Sequence, residues 1–364
     1  MGFSDFYGNA EVVQRLREML KRDRFPHAII LAGPEGAGKY TLALKLARTM
    51  NCLNPTAEDG LPSYCGSCSN CQRIAGAEDL EARCAEAVEL REGMRETDKR
   101  EARILVQTHP DVLIIPPDPP QMMIKVDQVR HVIGTIRYRP QEARRRIFIF
   151  TSSSFMKEAA NSLLKILEEP PEFATILLLA RHAGELLPTI RSRCLIFTLS
   201  QLSVREIEQH LIEHRPEWND RQRQLAARIS GGAIGKARSM DLEGYIKSRK
   251  DALAILHGAL QVNDHSDLFR TTETYRAGAE GKEKTDQLLA ALYSLLKDIL
   301  AILSNTSELV RNADITSELR SLAANVNFEW ITNATRQLSQ FQNGMRRNVL
   351  RPLALDALAL SLER

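Results

Sequence analysis

The sequence predicts an α/β fold, a parallel sheet flanked by helices, followed by helical C-terminal domains. Three observations carry that prediction. Residues 29–46, IILAGPEGAGKYTLALKL, run from an apolar strand through a glycine-rich turn into a helix with Leu42, Ala43, Leu46 and Ala47 on one face. Two further apolar runs, at 147–150 and 175–180, lack polar alternation, as strands buried on both faces do. From Tyr245 onward the apolar residues recur at helical spacing.

The turn at 33–39 reads as a phosphate loop. Gly33, Gly36 and Gly38 let backbone N–H groups face phosphate oxygens, the helix N-terminus adds partial positive charge, and Lys39 adds a full one. A magnesium-binding loop carries Ser or Thr directly after the lysine. Tyr40 stands there, and the hydroxyl comes one residue late at Thr41. A phenol is a poor magnesium ligand, and one residue rotates a helical side chain by about 100°. The loop's shape survives; its metal chemistry is not expected to.

Composition narrows the class. The chain has 364 residues, 43% hydrophobic and 26% charged, enough for two or three cored domains. Forty-nine basic against 46 acidic residues leave +3, too near neutral for nucleic-acid binding by bulk charge. No apolar run has membrane-span length and the N-terminus has no signal-peptide core, so a cytoplasmic protein without a membrane association is expected.

A helix with Val12, Val13, Leu16, Met19 and Leu20 on one side precedes the loop, and His27 at the strand entry reads as structural. Cys52 and the C-x2-C-x2-C run of Cys65, Cys68 and Cys71 then form a four-thiolate set whose spacing suits a closed tetrahedral zinc site. With no open coordination position, such an ion is structural. Cys84 and Cys194 are expected to be buried thiols, and His109 is a weak competitor as ligand. Residues 75–106 read as exposed charged helices. A strand is expected at 112–115, an extended run at 122–126, and a helix carrying Val129, Val132, Ile133 and Ile136.

The strand at 147–150 ends in Thr151, Ser152, Ser153 and Ser154, where a phosphate-loop ATPase presents one carboxylate for magnesium and one for the attacking water. Hydroxyls cannot take a proton from water at neutral pH. Glu168 and Glu169 lie a helix away and read as a helix end stopped by proline. With Tyr40, this second departure predicts a hydrolysis-defective nucleotide site.

The order of strand and phosphate loop, inserted cysteine module, NSLLKILEEPP (161–171) and SRC (192–194) resembles the bacterial DNA polymerase III clamp loader, an AAA+ assembly. Within it, the altered loop and TSSS resemble the delta-prime class of subunit rather than the gamma/tau motor. The resemblance implies an AAA+ domain over 1–199 with a zinc module (52–71) and a charged insertion (75–106), a helical lid over 200–243, and a helical collar that joins subunits over 244–364. It implies a non-catalytic part of a DNA-directed DNA polymerase holoenzyme that helps load the sliding clamp (beta) onto primed DNA. Partners would be gamma/tau and delta subunits in a hetero-pentamer, with clamp and DNA met through the complex. Arg193 would be an arginine finger acting in trans on a neighbour's ATP, with Arg191 the lesser candidate. ATP or ADP binding would be weak or absent. At the glycine pair 231–232, active relatives carry a nucleotide-sensing arginine; Ile234 occupies the matching place, with Lys236 and Arg238 nearby.

Two other classes compete. A working gamma/tau-like ATPase would use Thr41 for magnesium and an unidentified base; a zinc-dependent DNA-binding module would lose DNA affinity with its metal and show a steep salt dependence. For Arg193, the ordinary alternative is a surface ion pair. In the helical region Phe328, Trp330 and Ile331 are expected in the core, and a last helix over 350–362.

Overall fold

The computed structural model describes residues 2–260, 279–345, and 354, 355, 357, 358, 361 and 362. They form two compact units, residues 1–202 with 233–236, and residues 203–232 with 237–364.

The first unit is built on a six-stranded sheet. Its strands are β1 (Ala28–Ala32), β4 (Val106–His109), β5 (Val112–Ile115), β6 (Arg146–Phe150), β7 (Ala174–Ala180) and β8 (Leu195–Thr198), in the order β4-β5-β6-β7-β1-β8. All neighbours are parallel except the β4–β5 pair. A small antiparallel pair, β2 (Thr56–Glu58) and β3 (Leu61–Ser63), lies in the cysteine module.

Strand periodicity explains why the apolar runs are unbroken. Ile29 and Leu31 of β1, Ile147 and Ile149 of β6, and Leu177 and Leu179 of β7 enter the core on one face. Ile30, Phe148, Phe150, Ile176 and Leu178 enter the core on the other. Helices α1 (Ala10–Lys21) and α2 (Lys39–Asn51) supply Leu16, Leu42 and Leu46 to the first core. Helices α6 (Val126–Thr135) and α7 (Lys157–Glu168) supply Val129, Val132 and Leu163 to the second. Each such buried side chain contributes about 1.5–3 kcal/mol.

Between α2 and β4 lie α3 (Ser69–Ala75), α4 (Leu80–Glu92) and α5 (Glu96–Glu101). Helix α4 has no fully buried residue, as its charge content predicts. Short α8 (Pro188–Arg191) precedes β8.

Three expectations are corrected. The run 122–126 is not a strand: Met122 adopts φ 54°, which ends extended geometry, and only isolated bridges remain. An additional strand, β4, pairs antiparallel beside β5. Cys84 and Cys194 are half-buried rather than buried.

The second unit is helical, with α9 (Val204–His214), α10 (Asp220–Ile229), α12 (Leu242–Leu260), α13 (Ala279–Leu303), α14 (Thr316–Ala324) and α15 (Phe328–Met345). A short helix, α11 (Ile234–Arg238), spans both units in sequence. Leu256, Leu292, Leu295, Ile299, Leu319 and Leu338 share one core. Asp298, 1% exposed, accepts from the backbone N–H of Arg311 and Asn312, both at 2.8 Å, which ties α13 to the following loop. Ile331 is buried and Trp330 packs against the core, but Phe328, the first residue of α15, where the helix end is open to solvent, is 69% exposed. Of the predicted last helix, Leu355, Leu358 and Leu362 are buried, while Leu350 lies outside the described residues. Among the described residues no helix is long and apolar enough to cross a membrane.

Candidate nucleotide site and metal centre

The loop after β1 turns where the sequence places its glycines. Gly36 adopts φ 78° and Gly38, the N-cap of α2, φ 85°, conformations an L side chain rarely takes. A Cβ on Gly36 would stand 2.8 Å from the Lys236 N, and the Gly235 N–H donates to the Gly36 carbonyl at 2.8 Å. The loop therefore carries backbone against its outer side.

A cleft of about 870 Å³ opens over this loop. Gly36, Gly38, Lys39, Tyr40 and Thr41 line one wall, and Thr151, Ser152, Ser153, Ser154, Arg181 and Glu185 another. Lys39 Nζ donates to the loop's own carbonyls, Gly33 O at 2.5 Å and Pro34 O at 2.7 Å. Burial pushes the Lys39 amine below its ordinary range, opposed by Glu35. Gly33, the first glycine of the predicted loop, thus serves as an acceptor for the lysine.

Tyr40 does not face a metal position as a free ligand. Its hydroxyl donates to Ala77 O at 2.5 Å, at the start of the charged insertion, and burial drives the phenol well above its ordinary range. A neutral phenol already committed as a donor is a poor cation ligand. Thr41 is exposed and lines the cleft.

Glu185 is the residue that sequence reasoning missed. It sits in a single 3-10 turn after β7, and its Oε2 accepts from Ser153 Oγ and, at 3.1 Å, from the Arg181 N–H. Its Oε1 lies 3.6 Å from His182 Nε2. Ser153, just past the end of β6, thus meets a carboxylate from 32 residues further on. Burial acts to raise this carboxyl, but the Ser153 and Arg181 donors outweigh it and hold it low. A carboxylate so held is a weak base.

Arg193 is exposed, and its Nη2 lies 2.6 Å from Glu168 Oε1 while Nη1 donates to Thr189 O at 2.9 Å. It stands at the opening of β8, away from the cleft lining.

Cys52, Cys65, Cys68 and Cys71 come together as the spacing predicts, all four sulfurs within 4.8 Å of one another. Cys52 Sγ is 3.5 Å from Cys65 Sγ and 3.9 Å from Cys68 Sγ. Zinc–sulfur bonds of about 2.3 Å in a tetrahedron need sulfurs about 3.8 Å apart. Backbone N–H groups of Cys65, Cys68 and Cys71 point at the sulfurs of Cys52, Cys65 and Cys68, stabilising thiolates. The Cys68 and Ser67 N–H donors draw the Cys65 thiol down to about 6, whereas burial pushes Cys71 up. The set is competent to hold a metal ion. Arg17 of α1 anchors the module, donating to the carbonyls of Pro62 at 3.0 Å and Leu61 at 3.1 Å. His109 is not in the set; its Nδ1 accepts from the Asp111 N–H at 3.1 Å.

A family model described as DNA polymerase III, delta subunit, matches residues 8–203. The chain belongs to this family. Over 355 residues it is 24% identical to DNA polymerase III subunit delta' of Bacillus subtilis, covering 97% of this chain and 95% of that one. Over 174 residues it is 32% identical to subunit delta' of Pseudomonas aeruginosa, covering 48% of this chain and 43% of the other. Subunit tau of Escherichia coli is 29% identical over 248 residues, 65% of this chain but only 32% of tau. A solved gamma-subunit-related protein of Thermotoga maritima overlaps 96% of this chain and 98% of its own at 17% identity, with a TM-score of 0.41. Membership in this DNA polymerase III family agrees with the AAA+ type of α/β domain expected from the sequence, here with an inserted four-cysteine module and a helical C-terminal region.

Proposed function

We propose that the chain is a non-hydrolysing, delta-prime-like subunit of the replicative clamp loader, part of a DNA-directed DNA polymerase holoenzyme in the cytoplasm. In this reading it supports ATP-dependent loading of the sliding clamp onto primed DNA, within a hetero-pentamer of gamma/tau and delta subunits. The observation that carries it is the commitment of Tyr40 to Ala77 O at the metal position, in a chain of this family. The cleft keeps the cradle for a triphosphate, with ATP or ADP held weakly or not at all, while Lys39 bonds its own loop.

Arg193 is the proposed trans finger. Its exposure suits a cation offered to a neighbour, and its pairing with Glu168 is the exchange it would make on assembly. The four cysteines are proposed to hold a structural zinc ion, since four sulfurs leave no position for water. Residues 200–243 and 244–364 are proposed as lid and collar, the latter joining subunits.

Glu185 favours a second reading, a working gamma/tau-like ATPase with Thr41 at magnesium and Glu185 as the carboxylate. Against it stand the donors that already occupy Glu185 Oε2. Measuring ATP binding and steady-state hydrolysis separately, on the isolated chain and in the assembled ring, separates the two. Turnover by the pure chain that Glu185→Gln abolishes would replace the first reading with the second.

A further inference from the structure

The charged insertion at 75–106 has had no part in the chemistry so far, yet its longest helix, α4, is fastened to two walls of the nucleotide cleft. At the start of α4, Leu80 lines the cleft, and Leu80 and Cys84 pack on the core beside Tyr40. Just before it, Ala77 O accepts from the Tyr40 hydroxyl, and Glu78 pairs with Arg48 of α2. About 16 Å further along the helix axis, Arg91 reaches the turn after β5. Its Nη1 donates to Asp118 Oδ1 at 2.7 Å and its Nη2 to Pro119 O at 3.3 Å. Pro117 and Met122 of that turn line the cleft as well. Helix α4 therefore ties the wall made by α2 to the wall that follows β5.

The two attachments differ in what release costs. Ala77 is 1% exposed and its carbonyl is held by a buried phenol, so this end is fixed. At the other end Asp118 is 2% exposed, and breaking a buried ion pair is costly when it strands a charge. Here it strands none. The same Asp118 Oδ1 accepts from Lys125 Nζ at 2.9 Å, so the carboxylate stays answered when Arg91 leaves, and the guanidinium regains water.

Little else holds α4 down. It has no fully buried residue; Cys84, Val88 and Arg91 on its inner face are only half-buried. Elements with so little burial open locally, ahead of the fold as a whole. Residues 93–103 then link α4 to the buried Ile104, and eleven residues reach up to about 36 Å when extended.

We propose that α4 is a gate on the nucleotide cleft, hinged where Ala77 meets Tyr40 and latched where Arg91 meets Asp118. Release of Arg91 frees the helix from the Asp118 turn and opens that side of the cleft. Lys125 makes the release inexpensive, so it favours the open gate although it touches no part of α4.

The test follows alkylation of Cys84 by N-ethylmaleimide in the full chain, with peptide mass spectrometry to separate the cysteines and Cys194 as internal reference. Burial holds the Cys84 thiol above its ordinary range, so it reacts slowly while α4 is seated. Arg91→Ala removes the latch and should speed Cys84 alkylation by about tenfold or more, with Cys194 unchanged. Lys125→Met leaves Asp118 dependent on Arg91 and should slow it by about threefold or more. A merely structural ion-pair cluster would loosen in both variants, so faster alkylation in Lys125→Met overturns the proposal, as does an unchanged rate in Arg91→Ala. If the variants do not fold, hydrogen exchange of the unmodified chain decides: amides of 84–92 should exchange at least about tenfold faster than those of α3, and equal rates overturn the gate. What passes the gate rests on the nucleotide reading above. A fluorescent ATP analogue should associate about tenfold faster with Arg91→Ala, and binding at an unchanged rate overturns the gate. Absence of any binding counts against the nucleotide reading alone, because the Cys84 rates involve no nucleotide.

Discussion

Arg193 Nη2 and Glu168 Oε1 lie 2.6 Å apart, joining the segment before β8 to the end of α7. The two residues are 25 positions apart, and both side chains reach solvent. An exposed pair of this kind contributes about 0–1 kcal/mol, so it orients the guanidinium at little cost to release. Arg193→Ala should therefore leave the thermal midpoint of the chain nearly unchanged. In the reconstituted loader it should slow hydrolysis at the neighbouring site by roughly 10³-fold or more. Glu168→Ala should leave that rate undiminished. Pre-steady-state phosphate release from the assembled ring checks both, and an unchanged rate in Arg193→Ala removes the finger.

Cys68→Ser removes one sulfur of the set and the acceptor of the Cys71 N–H. Zinc affinity should fall by more than about 100-fold, and the region around Tyr64 and Cys71 should lose amide protection. The second unit, whose core shares no residue with the module, should unfold as before. Metal analysis and hydrogen exchange report these separately; full zinc retention would contradict a four-sulfur site.

Tyr40→Ser restores a small hydroxyl after Lys39 and frees Ala77 O. Magnesium-dependent nucleotide affinity should rise, while turnover should stay at background, because Glu185 remains tied to Ser153 and Arg181. Calorimetry with Mg-ATP and a phosphate-release assay test the two halves.

Acid should weaken the second unit through His210. Burial, then the neighbouring His214, drive His210 down to about 4, and its ring stacks on His214 with centroids 3.8 Å apart. The folded pKa lies below the unfolded value of about 6.5, so the unfolded state binds more protons in between. The contribution is intact above pH about 6.5 and is lost as pH falls toward about 4. His210→Phe keeps an aromatic face and loses the titration. Its thermal midpoint should fall less than the parent's between pH 6.5 and 5.

The core offers a calibration. Leu31→Ala in β1 empties a position with no exposure in the core beside α1 and α2, and should cost about 2–5 kcal/mol by urea denaturation.

What the sequence determined by itself is what local geometry dictates. The strand, glycine turn and helix at 29–46 form a contiguous unit, and C-x2-C-x2-C brings three sulfurs together through one turn, so both were legible. Unbroken apolar runs made β1, β6 and β7 readable as strands buried on both faces. Tertiary structure alone decided the rest. Glu185 reaches Ser153 across 32 residues, and Arg193 reaches Glu168 across 25, separations with no periodic signature. Met122 looked extended by its apolar neighbours, but a left-handed backbone ended the run. Arg146 meets the carbonyls of Thr135 and Tyr138 only because the start of β6 lies against the chain leaving α6, a meeting that no stretch of sequence records.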